Sequence, residues 1–168
     1  MGPVIFWNSV RFILAVAAQV LVCNHIDFLG YINPLVYIYF ILLFPLNANR
    51  SLFLVIAFLF GLTVDMFSDT GGAHAAACVV IAYARPVILR FAFGISYEYQ
   101  SVKIENTALG QRMVYVTIMT LIHHFFFFLL EIFNISYMVT ILKNTAFFSI
   151  FTILIITLSL TFFSRKNS

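Results

Sequence analysis

Two stretches of this chain hold residue types that could do chemistry. The first is GLTVDMFSDTGGAHAAA, Gly61 to Ala77, which gathers Asp65, Asp69, three hydroxyl side chains, His74, three glycines and a run of alanines. The second holds His123 and His124, side by side, with Glu131 seven residues after His124. Spacings of four and seven place His124, Phe128 and Glu131 on one stripe of a helix. A proton relay or a metal site inside a membrane would draw on such groups. One histidine–glutamate pair supplies at most two ligands, however, and adjacent histidines diverge by about 100° around a helix. No HExxH spacing is present. The expectation for the histidines is hydrogen bonding between helices, with Glu131 near an interface.

The first stretch reads mainly as a turn. In SDTGG, Ser68, Asp69 and Thr70 are capping residues, and glycine permits backbone angles that other residues avoid. Asp69 or Thr70 is expected to cap the following helix, whose positive end favours an acid. Gly72 with Ala76 and Ala73 with Ala77 are small pairs at helical spacing, which lets membrane helices approach closely. Asp65 precedes the turn, where a lone carboxylate would face headgroups or a partner, with His74 within reach. Two arginines also stand inside apolar runs. Arg11 is expected to snorkel toward headgroups. Arg85 precedes Pro86, which frees a carbonyl one turn earlier. The sequence leaves open whether Arg85 serves such carbonyls, a carboxylate on another helix or the headgroups.

The elements that must position these groups are membrane helices. Of the 168 residues, 63% are hydrophobic and 9% charged, against about 25% charged in soluble domains. So much apolar surface requires lipid as solvent. The net charge of +3 then bears on orientation rather than on nucleic acid. Runs near the length of about 20 residues that a spanning helix needs occur at roughly 4–23, 29–46, 51–67, 72–93, 113–133 and 144–164. The chain therefore reads as a single six-helix transmembrane domain over residues 1–168, all-α, with a polar connection from Gly94 to Arg112. Pro34 and Pro45 stand near the start and at the end of the second run.

With the N-terminus cytoplasmic, Arg50, Lys103, Arg112, Arg165 and Lys166 fall inside and Lys143 alone falls outside, so both termini are expected in the cytoplasm. Asp27, Asp65, Asp69 and Glu131 fall at outer ends, Glu98 and Glu105 inside. Tyr31, Tyr97, Tyr99 and Tyr137 suit interfaces. The first helix is expected to be retained, because MGPVIFWNSVRF lacks a basic leader and a small-residue cleavage site. Gly2 is not read as a myristoylation site, since position six is Phe. Cys23 and Cys78 are not expected to form a disulfide. No GxSxG, GxGD, phosphate-loop, flavin or haem signature is present. The expectations are no enzymatic activity, no metal and no cofactor; an intramembrane enzyme built on His123, His124 and Glu131 is the weakest reading.

GLTVDMFSDTGGAHAAA resembles the G-L-x-x-D…G-x-H region of the rod shape-determining protein MreD family, in the short form of Bacteroidetes-type bacteria. The opening FILAVAAQVLVCNHIDFLGYINPLVYIYFILLFPL, with Gln19, Asn24, Tyr31, Asn33 and Pro34 as polar punctuation, resembles the start of that form. The resemblance implies a multi-pass protein of the bacterial inner membrane that belongs to the elongation machinery. It implies an MreC-like membrane partner and, through it, an MreB-like filament and a RodA-like glycosyltransferase with its transpeptidase. The role implied is a non-enzymatic scaffold for lateral peptidoglycan synthesis and cell shape, with a fold similar to the six-helix substrate-binding (S) components of energy-coupling transporters. The family motif falls on Gly61, Asp65, Gly72 and His74, which become candidate partner-binding residues. A second reading, from the fold analogy alone, is a small-molecule-binding membrane protein of the transporter-component kind.

Overall fold

The structure, a computed structural model, describes residues 2–26, 33–94, 104 and 107–165. Asp27, Tyr31, Tyr97, Glu98, Tyr99, Lys103, Glu105 and Lys166, named above for topology or the family resemblance, lie outside the described residues. Every regular element described is helical: α1 (Gly2–Leu21), α2 (Tyr39–Leu42), α3 (Arg50–Ser68), α4 (Ala73–Phe93), α5 (Leu109–Ile132) and α6 (Met138–Arg165), with short 3-10 turns at Cys23–His25, Val36–Ile38 and Ile135–Tyr137. Among the described residues, five segments are long and apolar enough to cross a membrane: Phe6–His25, Arg50–Ser68, Ala73–Phe93, Leu109–Ile132 and Ile135–Phe162. Their outward faces carry large apolar side chains such as Leu59, Met66, Val87, Phe91 and Leu158, as lipid as solvent requires.

The expected second helix, 29–46, is the exception. Its described part is irregular at Asn33–Leu35, turns through the 3-10 segment Val36–Ile38, makes one α turn at Tyr39–Leu42 and then turns again before Arg50. This segment nevertheless runs the height of the bundle. Phe12 meets Phe60, and Asn24, just past α1, donates to the Ser68 hydroxyl at the end of α3, 3.1 Å. Helices α1 and α3 therefore point the same way. The chain between them must return over the length of α3, about 28 Å for 19 residues at 1.5 Å each. The second pass is thus a broken, buried strut and not a spanning helix.

A strut of this kind is tolerated in a bilayer only where protein satisfies its backbone. Four side chains do so. Gln19 of α1 donates from Nε2 to the Pro34 carbonyl, 3.2 Å, and accepts at Oε1 from the Tyr37 N–H, 3.2 Å. The Thr152 hydroxyl of α6 accepts from the Leu35 N–H, 3.1 Å. At the other end, Arg85 Nη2 donates to the carbonyls of Leu42 and Phe44. The Tyr115 hydroxyl donates to the Leu42 carbonyl and accepts from Arg85 Nε, each at 3.0 Å. Of the alternatives left open for Arg85, the structure shows carbonyls, those of the strut and not those of its own proline turn. Apolar side chains of the strut fill the bundle centre, with Ile38, Ile41 and Leu42 fully buried.

Helices α3, α4, α5 and α6 then run antiparallel in sequence. The pairs Gly61–Ala75, Arg112–Leu160 and His124–Thr152 set the directions. The start of α1 and the end of α6 consequently lie at one end of the bundle, together with Arg50, Arg90 and Arg112. Asp65, Asp69, Glu131 and Lys143 lie toward the other. Arg11 is exposed on α1, and Cys23 and Cys78 are buried and free.

Replacing Gln19 by Leu leaves the Tyr37 N–H and the Pro34 carbonyl without these partners. The expected loss is about 1–3 kcal/mol for each group stranded, readable as a lower midpoint of reversible unfolding in mixed micelles. An unchanged midpoint would show that the strut does not depend on Gln19.

Candidate functional site

The first site is the turn between α3 and α4. Asp65 and Gly61 lie one helical turn apart on α3, so they share a face, and that face meets the first turn of α4. A Cβ built on Gly61 would fall 2.5 Å from Ala75 Cα and 2.6 Å from the His74 carbonyl oxygen. Only glycine lets the two backbones come this close. The close approach lets the Asp65 carboxylate reach the free N–H groups of α4. Oδ1 accepts from the His74 N–H, 3.0 Å, and Oδ2 from the Ala75 N–H, 2.8 Å. The Thr70 hydroxyl donates to Oδ1 as well. Asp65 is therefore 5% exposed, with its charge held against the positive end of α4.

The expected capping by Asp69 or Thr70 is corrected by this geometry. Asp69 closes α3 in a left-handed conformation, φ 54°, with its N–H on the Asp65 carbonyl. Thr70 supports the cap without being it. Gly72 precedes α4 at φ 99°, a region that glycine enters freely. Asp65 is the cap, from nine residues upstream, a distance no capping-box pattern anticipates.

His74 does not meet Asp65 through its ring. Its backbone N–H reaches Asp65, while Nδ1 pairs with the Tyr37 hydroxyl at 2.7 Å. The same hydroxyl pairs with His123 Nε2 at 2.6 Å. Tyr37, on the strut, thereby joins α4 to α5. A hydroxyl has one hydrogen, so it donates to one histidine and accepts from the other, and the two tautomers are coupled. His123 Nδ1 is buried with no partner. With Nδ1 unprotonated, no N–H is stranded there, and genuinely orphaned buried N–H groups are rare. This favours His123 Nε2–H donating to Tyr37 and Tyr37 donating to His74 Nδ1. The ring of His74 also stacks on Phe127, centroids 4.3 Å apart.

His124 is fixed more simply. Its Nδ1 donates to the Thr120 carbonyl, 2.8 Å, so Nε2 must accept from the Thr152 hydroxyl at 3.2 Å. Thr152 in turn receives the Leu35 N–H, which closes a chain from strut to α6 to α5. The interhelical bonding expected of the histidines is present. Glu131 stays apart from them, exposed in the last turn of α5. Among the described residues no cluster of three histidine, cysteine or acidic side chains could hold a metal.

Above His74, toward the Asp65 end, lies a cavity of about 500 Å³. Asn24, His25, Asn33, Ser68, His74 and Glu131 supply its polar lining, and Leu35, Phe67, Phe127, Phe128 and Phe148 much of the rest. Sequence reading missed this chamber, since His25, Asn24 and Asn33 come from ends and bends with no mutual spacing to betray them.

Fold and site together define a multi-pass helical membrane protein with a polar, internally bonded core. The chain matches no known family model, and no curated protein or solved structure matches it either.

Four substitutions test the core. Gly61→Ala forces the α3–α4 backbones apart and is expected to destabilise by about 1–3 kcal/mol, the usual cost of overpacking. Asp65→Asn turns an acceptor into a donor facing an N–H, with an expected loss of at least about 1.5 kcal/mol, whereas Thr70→Ala should cost about 1 kcal/mol. Tyr37→Phe strands a nitrogen on each of His74 and His123 at once, so its loss should exceed that of Thr70→Ala in the same unfolding assay. If Asp65→Asn and Thr70→Ala cost the same, the carboxylate is not the principal cap.

Proposed function

We propose that this protein is a non-enzymatic scaffold of the MreD type in a bacterial inner membrane, with both termini cytoplasmic. In this reading it binds an MreC-like membrane partner and so helps organise lateral peptidoglycan synthesis by a RodA-like glycosyltransferase and its transpeptidase beneath an MreB-like filament. The observation that carries the reading is the unity of the motif. Gly61, Asp65, Gly72 and His74, the residues on which the resemblance rests, build one rigid joint: close approach, cap, turn and anchor to the core. The role proposed for them is to hold the outer faces of α3 and α4 at a fixed angle rather than to touch a partner, since Asp65 and His74 are spent inside the fold. Exposed Leu59, Met66, Val87 and Phe91 are then the contact candidates. Two termini at one end and six passes also suit a fold like that of the transporter S components, with the second pass broken.

Photo-crosslinkers placed at Met66 and Phe91 in native membranes should give an adduct with a single-span MreC-like protein, and depletion of the chain should round the cells. Adducts with lipid alone, at these and the neighbouring exposed positions, would sink the scaffold reading.

A second reading is supported by the chamber of about 500 Å³, which lies in the size range of small-molecule sites, about 300–1,000 Å³. Here the protein is a small-molecule-binding membrane component, with His25 and Glu131 as its polar contacts. Native mass spectrometry of the purified protein should then show a bound small molecule at unit stoichiometry that Glu131→Gln loses. Bare protein in every detergent tried would leave the chamber structural.

A further inference from the structure

At the opposite end of the bundle lies a second cavity, of about 250 Å³, between the strut, α3 and α4. Its lining includes Pro45, Ala48, Arg50, Phe53, Arg85 and Pro86. Arg85 is only 4% exposed. A guanidinium stays charged under any condition a protein survives, and a buried charge needs a partner. The partners of Arg85 are three neutral oxygens, those of Leu42, Phe44 and Tyr115, and all are reached through Nε and Nη2. Nη1 makes none of these bonds, and no carboxylate among the described residues pairs with Arg85. Its charge lies beside Phe53, 5.2 Å from the ring centroid, in a cavity that a second arginine also lines. Arg50 opens α3 and stands over the Tyr83 ring, 4.7 Å from the centroid. The backbone N–H groups of Ser51 and Leu52 are taken by the Asn49 side chain, so the two arginines, not the helix end, supply the positive charge.

We propose that this cavity is a binding site for a phosphate oxyanion, with Arg85 and Arg50 as its two cationic ligands. Arg85 is the fixed one, held in place by the strut, and presents its unused nitrogen to the anion. Arg50 is exposed and closes over the anion from the bundle end. The fork of Arg50 and the one unused nitrogen of Arg85 together supply charged N–H donors to a tetrahedral oxyanion. The cavity lies level with the first residue of α3, the depth at which lipid phosphates gather, so a phospholipid headgroup is one source and free phosphate the other. The site is independent of the scaffold reading.

The test uses the whole protein, stripped of lipid in a maltoside detergent that carries no phosphate. Phosphatidylglycerol, diacylglycerol with the same acyl chains and inorganic phosphate are added separately, and thermal unfolding is followed. Stabilisation by phosphatidylglycerol but not by diacylglycerol assigns the site to a lipid headgroup. Stabilisation by inorganic phosphate at similar concentrations assigns it to the free anion. In either case Arg50→Gln, which leaves the buried Arg85 bonds intact, should weaken the apparent affinity about tenfold, the order of one lost charge-assisted contact. Arg11→Gln, exposed on α1, serves as the control and should leave it unchanged. No stabilisation by either phosphate, or stabilisation that Arg50→Gln leaves intact, overturns the proposal.

Discussion

A backbone that is not helical inside a bilayer must find every hydrogen-bond partner within the protein. The strut between α1 and α3 is such a backbone, and buried polar side chains from four helices answer to it. Gln19 serves Pro34 and Tyr37, Thr152 serves Leu35, and Arg85 with Tyr115 serves Leu42 and Phe44. Each comes from a different helix or from a different level of one. The strut is therefore clamped by α1, α4, α5 and α6 together, and those helices are in turn registered against each other through it. Tyr37 adds its side chain to the same task by joining His74 and His123.

The α3–α4 joint follows the same logic at smaller scale. A helix start carries free N–H groups that water cannot serve in lipid, and a carboxylate in lipid is costly unless paired. Asp65 against the first turn of α4 settles both needs at once, and Gly61 makes the distance short enough. Residue types that suggest chemistry thus also carry structure. Polar groups less engaged in the fold stand at two places: the chamber that holds Glu131 and His25 at one end, and Arg50 beside Arg85 at the other.

Much of the architecture is legible in hydropathy. The expected runs 51–67 and 72–93 agree with Arg50–Ser68 and Ala73–Phe93 to within a residue. The last helices begin earlier than their apolar runs, at Leu109 and Met138, because a helix can extend past the hydrocarbon where its own hydrogen bonds suffice. The 29–46 run misleads for a physical reason. Hydropathy reports whether a segment avoids water, not how its backbone is satisfied, and a buried strut is as apolar as a spanning helix. Pro34 and Pro45 hinted at interruption. The decisive signals, Gln19, Thr152, Arg85 and Tyr115, lie on other helices.

Sequence alone determines that this chain lives in lipid, where most of its helices fall, and that a turn stands at Ser68–Gly72. These follow from local composition, because burial in lipid and turn propensity are properties of neighbours along the chain. Tertiary structure alone decides what the polar residues do. Asp65 could have faced the headgroups and Arg85 a carboxylate, and each reading is consistent with its neighbours in sequence. The choice among them depends on partners such as Leu42 for Arg85 and Tyr37 for His74 and His123. A buried polar group is defined by what satisfies it, and here the satisfying atom is usually a different pass of the chain.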